Sequence, residues 1–211
     1  MKTLRSLRFL LFTLSLLFAF PAFAKPRVLP AVSEAMERMV ASNEIAGAVT
    51  MVVTKKKVLH LGTTGFANAA DKRSMKADDI FWIASMTKPV TGVAVLMLQD
   101  EGKLHVSDPV AKYIPEFANL KTPSGKPANL TIAQLLNHTS GLGEAPRDAA
   151  RNAQTLSDLI PLWLAAPMKY EPGSRWEYTQ SGINAAGRIV EIVSGMSFDA
   201  FLQKRLFKPL G

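Results

Sequence analysis

No cysteine occurs in the 211 residues, which excludes disulfides, thiol nucleophiles and thiolate metal sites. Histidine is scarce, limited to His60, His105 and His138. No His or carboxylate pair has metal-ligand spacing, so no metal and no cofactor are expected. No G-x-S-x-G elbow is present, which argues against the triad of an α/β-hydrolase. Internal repeats and low-complexity tracts are missing as well. The opening apolar run, residues 9–20, is about a dozen residues long against the roughly 20 that a spanning helix requires.

That run follows Lys2, Arg5 and Arg8 and ends in Ala22-Phe23-Ala24, the three-part pattern of a secretory leader. Residues 1–24 are therefore expected to be a signal peptide cleaved after Ala24, with periplasmic delivery across the inner membrane and no stable membrane span afterwards. A permanent anchor is the alternative reading. Without those residues the net charge falls from +8 to +5, because they carry no acidic residue. The remaining lysines are scattered except for Lys55-Lys56-Lys57, which sits between two apolar runs and reads as a solvated turn. No nucleic-acid partner is expected.

Residues 32–40 place Val32, Met36, Met39 and Val40 on one helical face. Residues 47–53 and 58–61 read as a hairpin around the lysine turn, closed by Gly62 and Gly65. Ile80-Phe81-Trp82-Ile83-Ala84 forms a strand-like entry to Ser85, and residues 90–98 are apolar on nearly every side, as in a helix buried in the middle of a fold. That helix is expected to start close to Ser85, with Pro89 near its first turn, and to end at Gly102. Thr131, residues 156–164, residues 183–193 and Ser197 mark further helices. Residues 118–129 and 141–151, rich in Gly, Pro and polar side chains, read as connectors.

Ser85-Met86-Thr87-Lys88 is an S-x-x-K sequence. Residues three apart on a helix have Cβ atoms about 5–6 Å apart, so the lysine amine can reach the serine hydroxyl. A helix amino-terminus also favours negative charge forming on the serine oxygen. A protonated lysine cannot accept the hydroxyl proton; burial and the helix end must neutralise it, each pKa unit costing about 1.36 kcal/mol. Roughly one S-x-x-K arises by chance in such a chain, so its position at the head of the apolar helix carries the weight. The competing reading makes Ser85 a helix cap and Lys88 a snorkelling surface residue.

The segment F-W-I-A-S-M-T-K-P-V-T-G resembles the nucleophile region of serine β-lactamases of class C, related esterases and D-amino-acid peptidases. Residues 135–142 (L-L-N-H-T-S-G-L), 170–182 (Y-E-P-G-S-R-W-E-Y-T-Q-S-G) and 201–211 resemble further stretches of that family in the same order. The resemblance implies an α+β, β-lactamase/transpeptidase-like fold: an antiparallel sheet flanked by helices plus a mostly helical lobe. Residues 25–84 would begin the α/β part and residues 85–211 would form the helical part. It also implies a small-molecule ester, amide or β-lactam substrate and catalysis by Ser85, Lys88 and Tyr178, with Tyr178 exchanging protons with nucleophile and leaving group. A phenol, with a reference pKa of about 10, needs a neighbouring ammonium to ionise near neutrality.

Gln180 stands where the family has a substrate-binding Asn, one methylene longer, which bears on β-lactam or peptide recognition more than on acyl transfer. The family context of His138 is a structural loop, and His60 and His105 read as packing or surface residues. The family's third motif, a Lys or His followed by a small residue and Gly on a pocket-lining strand, would fall beyond Gly211. The chain is thus expected to be the front portion of a longer protein, with the last sheet strands missing. By resemblance that strand supplies one oxyanion-hole donor, worth roughly 2.7–4 kcal/mol in other serine hydrolases. The alternatives are a non-catalytic envelope protein that binds acyl or peptidoglycan ligands, and a basic membrane-surface protein.

Overall fold

The computed structural model describes residues 28–211; the expected signal peptide lies outside the described residues. The chain divides after Trp82 into two compact units. In the first, helix α1 (Pro30–Ala41) begins with a proline, which is tolerated there because first-turn N–H groups have no helical acceptor. Strands β1 (Gly47–Val53) and β2 (Val58–Asn68) pair antiparallel, Gly47 facing Gly65 and Met51 facing Leu61, and the short β3 (Arg73–Ser74) pairs with β2. Helix α1 packs on β2. The fully buried His60 ties these elements together: its Nδ1 accepts the Leu29 N–H at 2.8 Å and its Nε2 lies 2.8 Å from Thr50 Oγ1.

Two expectations fail between residues 62 and 83. The hairpin does not close at Gly62 and Gly65, since β2 runs on to Asn68. Gly65 instead serves a close crossing within the strand: its φ is +71°, and a Cβ there would stand 2.4 Å from the Ala46 carbonyl oxygen. Residues 80–83 form no strand either. Ile80 and Trp82 are 100% and 95% exposed. β-Propensity reports fit to a packed pleated surface, and these side chains have none.

The second unit, residues 83–211, holds the larger core. A 3-10 turn (Ala84–Met86) leads into α2 (Thr87–Asp100), which stops at Glu101 and reverses through Gly102 at φ +69°. Helix α3 (Ile132–Leu136) starts at a capping box, Thr131 Oγ1 accepting the Gln134 N–H while the Gln134 side chain accepts the Thr131 N–H. Helix α4 (Arg147–Asn152) occupies part of the segment read as a connector, whose Gly and Pro residues precede it. Then come α5 (Ile160–Ala165), α6 (Ser181–Ser194) and α7 (Phe198–Leu202), the last capped by Ser197 Oγ as its sequence implies. A π turn (Gln203–Phe207) connects α7 to a final helical turn, α8 (Lys208–Leu210).

Helices α2 and α6 pack together, and α6 also packs on α3. Ala94, Val95, Leu98, Leu135, Ile189 and Val190 are fully buried there, each larger side chain contributing roughly 1.5–3 kcal/mol. Gly182 permits the α3–α6 approach, since a Cβ at that position would lie 2.8 Å from the Leu135 carbonyl oxygen.

Helix α2 departs from its expected all-round burial. Thr91, Ala94, Val95 and Leu98 are buried, whereas Val93 and Leu96, half a turn away, are 43% and 46% exposed. An apolar sequence sets what a helix can bury; the neighbours that pack on it set what is buried. Among the described residues no helix is long and apolar enough to cross a membrane.

Candidate active site

Ser85 lies in the 3-10 turn and Lys88 at the start of α2. One turn apart, they meet as the spacing requires: Lys88 Nζ donates to Ser85 Oγ at 3.2 Å. The preceding Ala84 has φ +45°, a conformation that costs a non-glycine residue roughly 1–2 kcal/mol. Strain of this kind persists only where surrounding structure holds it.

Tyr178 enters from an irregular segment far along the chain. Its hydroxyl donates to Ser85 Oγ at 2.6 Å, and Lys88 Nζ sits 4.7 Å from the centre of its ring. The Lys88 side chain, and next the Ser85 hydroxyl, hold the Tyr178 phenol below its ordinary value of 10.0. Ser85 and Tyr178 are exposed and Lys88 is half-buried, so the cluster is open rather than sequestered.

His138 holds the Tyr178 segment in place. Its carbonyl oxygen accepts the Glu177 N–H at 3.0 Å and the Tyr170 hydroxyl at 3.3 Å, and its Nδ1 accepts the Thr179 N–H at 3.3 Å. Its ring packs on that of Tyr178 with centroids 4.8 Å apart. Burial, and secondarily the charge of Lys88, lower the His138 pKa from 6.5, which keeps the ring neutral. With Nδ1 accepting, the proton rests on Nε2, so the ring has no lone pair left for proton abstraction. The residue has φ +63°.

Gln180 is wired into the same cluster. Lys88 Nζ donates to its Oε1 at 2.8 Å, and its Nε2 donates to Asn184 Oδ1 at 2.9 Å. An amide NH₂ has two hydrogens, so one remains for another acceptor. Beneath it, Glu144 accepts the Gln180 N–H at 2.5 Å, the Ser181 N–H at 3.2 Å and the Ser181 hydroxyl at 2.8 Å. A carboxylate at the first N–H groups of α6 satisfies donors that the helix cannot and complements its dipole. Glu144 is a supporting residue that sequence reading passed over. It lies in an apparent connector, and only its distance in space from Gln180 reveals it.

Tyr178 and Gln180 also line a cavity of about 620 Å³, within the range of ligand pockets. Its wall includes Leu159 and Trp163, and α4 contributes Arg147 and Arg151. Among the described residues no cluster of three or more His, Asp or Glu side chains could hold a metal.

A family model described as beta-lactamase matches residues 32–211. The chain is 32% identical to esterase EstB of Burkholderia gladioli, over 79% of this chain and 46% of that esterase. It is 30% identical to penicillin-binding protein 4* of Bacillus subtilis, over 73% of this chain and 34% of that protein. Among solved structures, the D-amino acid amidase of Ochrobactrum anthropi superposes with a TM-score of 0.72 at 25% identity, covering 86% of this chain and 49% of the amidase. EstCE1, a hydrolase with promiscuous acyltransferase activity, superposes with a TM-score of 0.76 at 23% identity, a likeness of fold. The fold is β-lactamase/transpeptidase-like. The chain belongs to the beta-lactamase family, and it spans about half the length of EstB.

Proposed function

We propose that this protein is a serine acyl hydrolase that forms an acyl-enzyme on Ser85, with Tyr178 moving protons and Lys88 favouring the ionised phenol that accepts them. The observation that carries the reading is the pair of contacts on Ser85 Oγ, from Tyr178 at 2.6 Å and Lys88 at 3.2 Å. Relatives named as an esterase and a D-amino acid amidase support the hydrolase class.

In the proposed first step the Ser85 oxygen bonds to the substrate carbonyl carbon while its proton passes to the Tyr178 phenolate, and the carbonyl π electrons move onto oxygen. When the bond to the leaving group breaks, Tyr178 returns that proton to it. Water then attacks the acyl carbon, its proton goes to Tyr178 and on to Ser85 Oγ, and the acid is released. Lys88 favours the phenolate, and Gln180 keeps Lys88 in place while offering an amide hydrogen to the substrate. The leader-like sequence pattern of residues 1–24 supports a periplasmic site of action.

The test is covalent: the protein is treated with a fluorophosphonate probe and the adduct mapped by mass spectrometry. The expected result is one adduct on Ser85, absent from Ser85→Ala. A protein that stays unlabelled, or is labelled elsewhere, overturns the reading.

A further inference from the structure

Arg147 and Arg151 stand four residues apart on α4, so they share one face, and both line the cavity that opens beside Tyr178 and Gln180. Among the described residues neither guanidinium has an ion-pair or side-chain hydrogen-bond partner, whereas Arg73, Arg175, Arg188 and Arg205 each hold a carboxylate. The acidic side chain on the same wall, Glu144, already has its oxygens engaged by Gln180 and Ser181. It is therefore poorly placed to neutralise the two arginines. Asp148, the acidic residue of α4, is exposed and does not line the cavity. Trp163, 1% exposed, and Leu159, 6% exposed, give the cavity an apolar wall of low polarisability toward charge.

Two unengaged guanidinium groups over an apolar wall match a ligand with a short apolar body and a terminal carboxylate. Arginine binds carboxylates through paired N–H donors, and such charge-assisted bonds gain strength where water is partly displaced. The nearby Ser85 cluster sets the other end of the ligand, an ester or amide carbonyl.

We infer that Arg147 and Arg151 form a specificity pocket for anionic acyl compounds, so that the preferred substrates are esters or amides bearing a carboxylate distal to the scissile carbonyl. This inference names the substrate class of the site proposed above and rests on that reading for turnover, but the binding it requires does not.

The experiment uses two benzyl esters of the same diacid: monobenzyl glutarate, which keeps one free carboxylate, and benzyl methyl glutarate, in which that carboxylate is methylated. Binding to the Ser85→Ala chain is followed by NMR titration, and hydrolysis by the unsubstituted chain is followed by chromatography. The expected result is preferential binding of the anionic ester, with Arg147→Gln plus Arg151→Gln weakening it roughly ten- to hundredfold and removing most of its advantage over the neutral ester. Both arginines are exposed, and circular dichroism checks that the double variant stays folded. Equal affinity for the two esters, no binding of either, or a preference that survives the double substitution overturns the inference. Arginine-dependent anion binding without turnover keeps the pocket and removes the hydrolase. Turnover of both esters with no arginine dependence does the reverse.

Discussion

The Tyr178 hydroxyl meets Ser85 Oγ at 2.6 Å across 93 residues of sequence. The contact depends on His138, whose carbonyl and ring hold Glu177 and Thr179 on either side of Tyr178. If this phenol exchanges the nucleophile's proton, Tyr178→Phe keeps the ring packing on His138 and slows labelling of Ser85 by roughly 10²–10⁴-fold. Circular dichroism of the variant stays unchanged. A labelling rate within a factor of about two of the parent removes Tyr178 from the chemistry.

The same phenol sets a pH dependence. The Lys88 side chain, and then Ser85, lower the Tyr178 pKa below 10.0. Phenolate is the form that accepts a proton, so the Ser85 labelling rate rises with pH, with a midpoint below 10.0, and levels off above that midpoint. Lys88→Gln removes the larger cause and moves that midpoint up. A flat profile in the parent protein contradicts the assignment.

Glu144 caps α6 through Gln180 and Ser181. Glu144→Ala leaves these donors without acceptors and lowers the unfolding free energy by about 1–3 kcal/mol. Glu144→Gln, which retains one acceptor oxygen, falls in between. Urea denaturation measures both, and equal stability of all three proteins removes the cap from the account.

Gly182 lies where α6 crosses α3. Gly182→Ala forces a Cβ to within 2.8 Å of the Leu135 carbonyl oxygen, and the two helices must separate. The expected cost is about 1–3 kcal/mol in thermal or urea unfolding, despite the better helix propensity of alanine. A stabilised variant shows that the helices can move apart freely.

Acid sensitivity has a local source at Glu101. Hydrogen bonds from Arg205 and then Lys103 lower its pKa from 4.5 to about 2. A depressed folded-state value means that its contribution is full above pH 4.5 and is lost as pH falls toward about 2. The urea midpoints of the parent protein and Glu101→Gln therefore converge over that interval. A gap that stays constant down to pH 2 rules out Glu101 as the titrating group.

Much of the architecture is legible in local pattern. Thr131 and Gln134 announce α3, Ser197 announces α7, and Ser85 to Lys88 is one helical turn whose geometry follows from spacing alone. The segment at residues 80–83 and the outer face of α2 mislead for one reason: apolar composition measures what could be buried, and burial is settled by what packs there. Gly62 and Gly65 read as a stop because glycine is common in turns, yet at Gly65 the cause is the nearby Ala46 carbonyl, which no local pattern reveals.

For the site itself, residue order alone specified a hydroxyl and an amine three positions apart, since helix geometry is short-ranged and repeats wherever the backbone hydrogen bonds do. Tyr178 could be named from resemblance, but its approach to Ser85 required α6 to dock on α2 and α3. The role of Glu144 and the cavity that the α4 arginines line emerged only from folding. Their partners are far away in sequence, and contacts across such separations are decided by packing, which has no local signature.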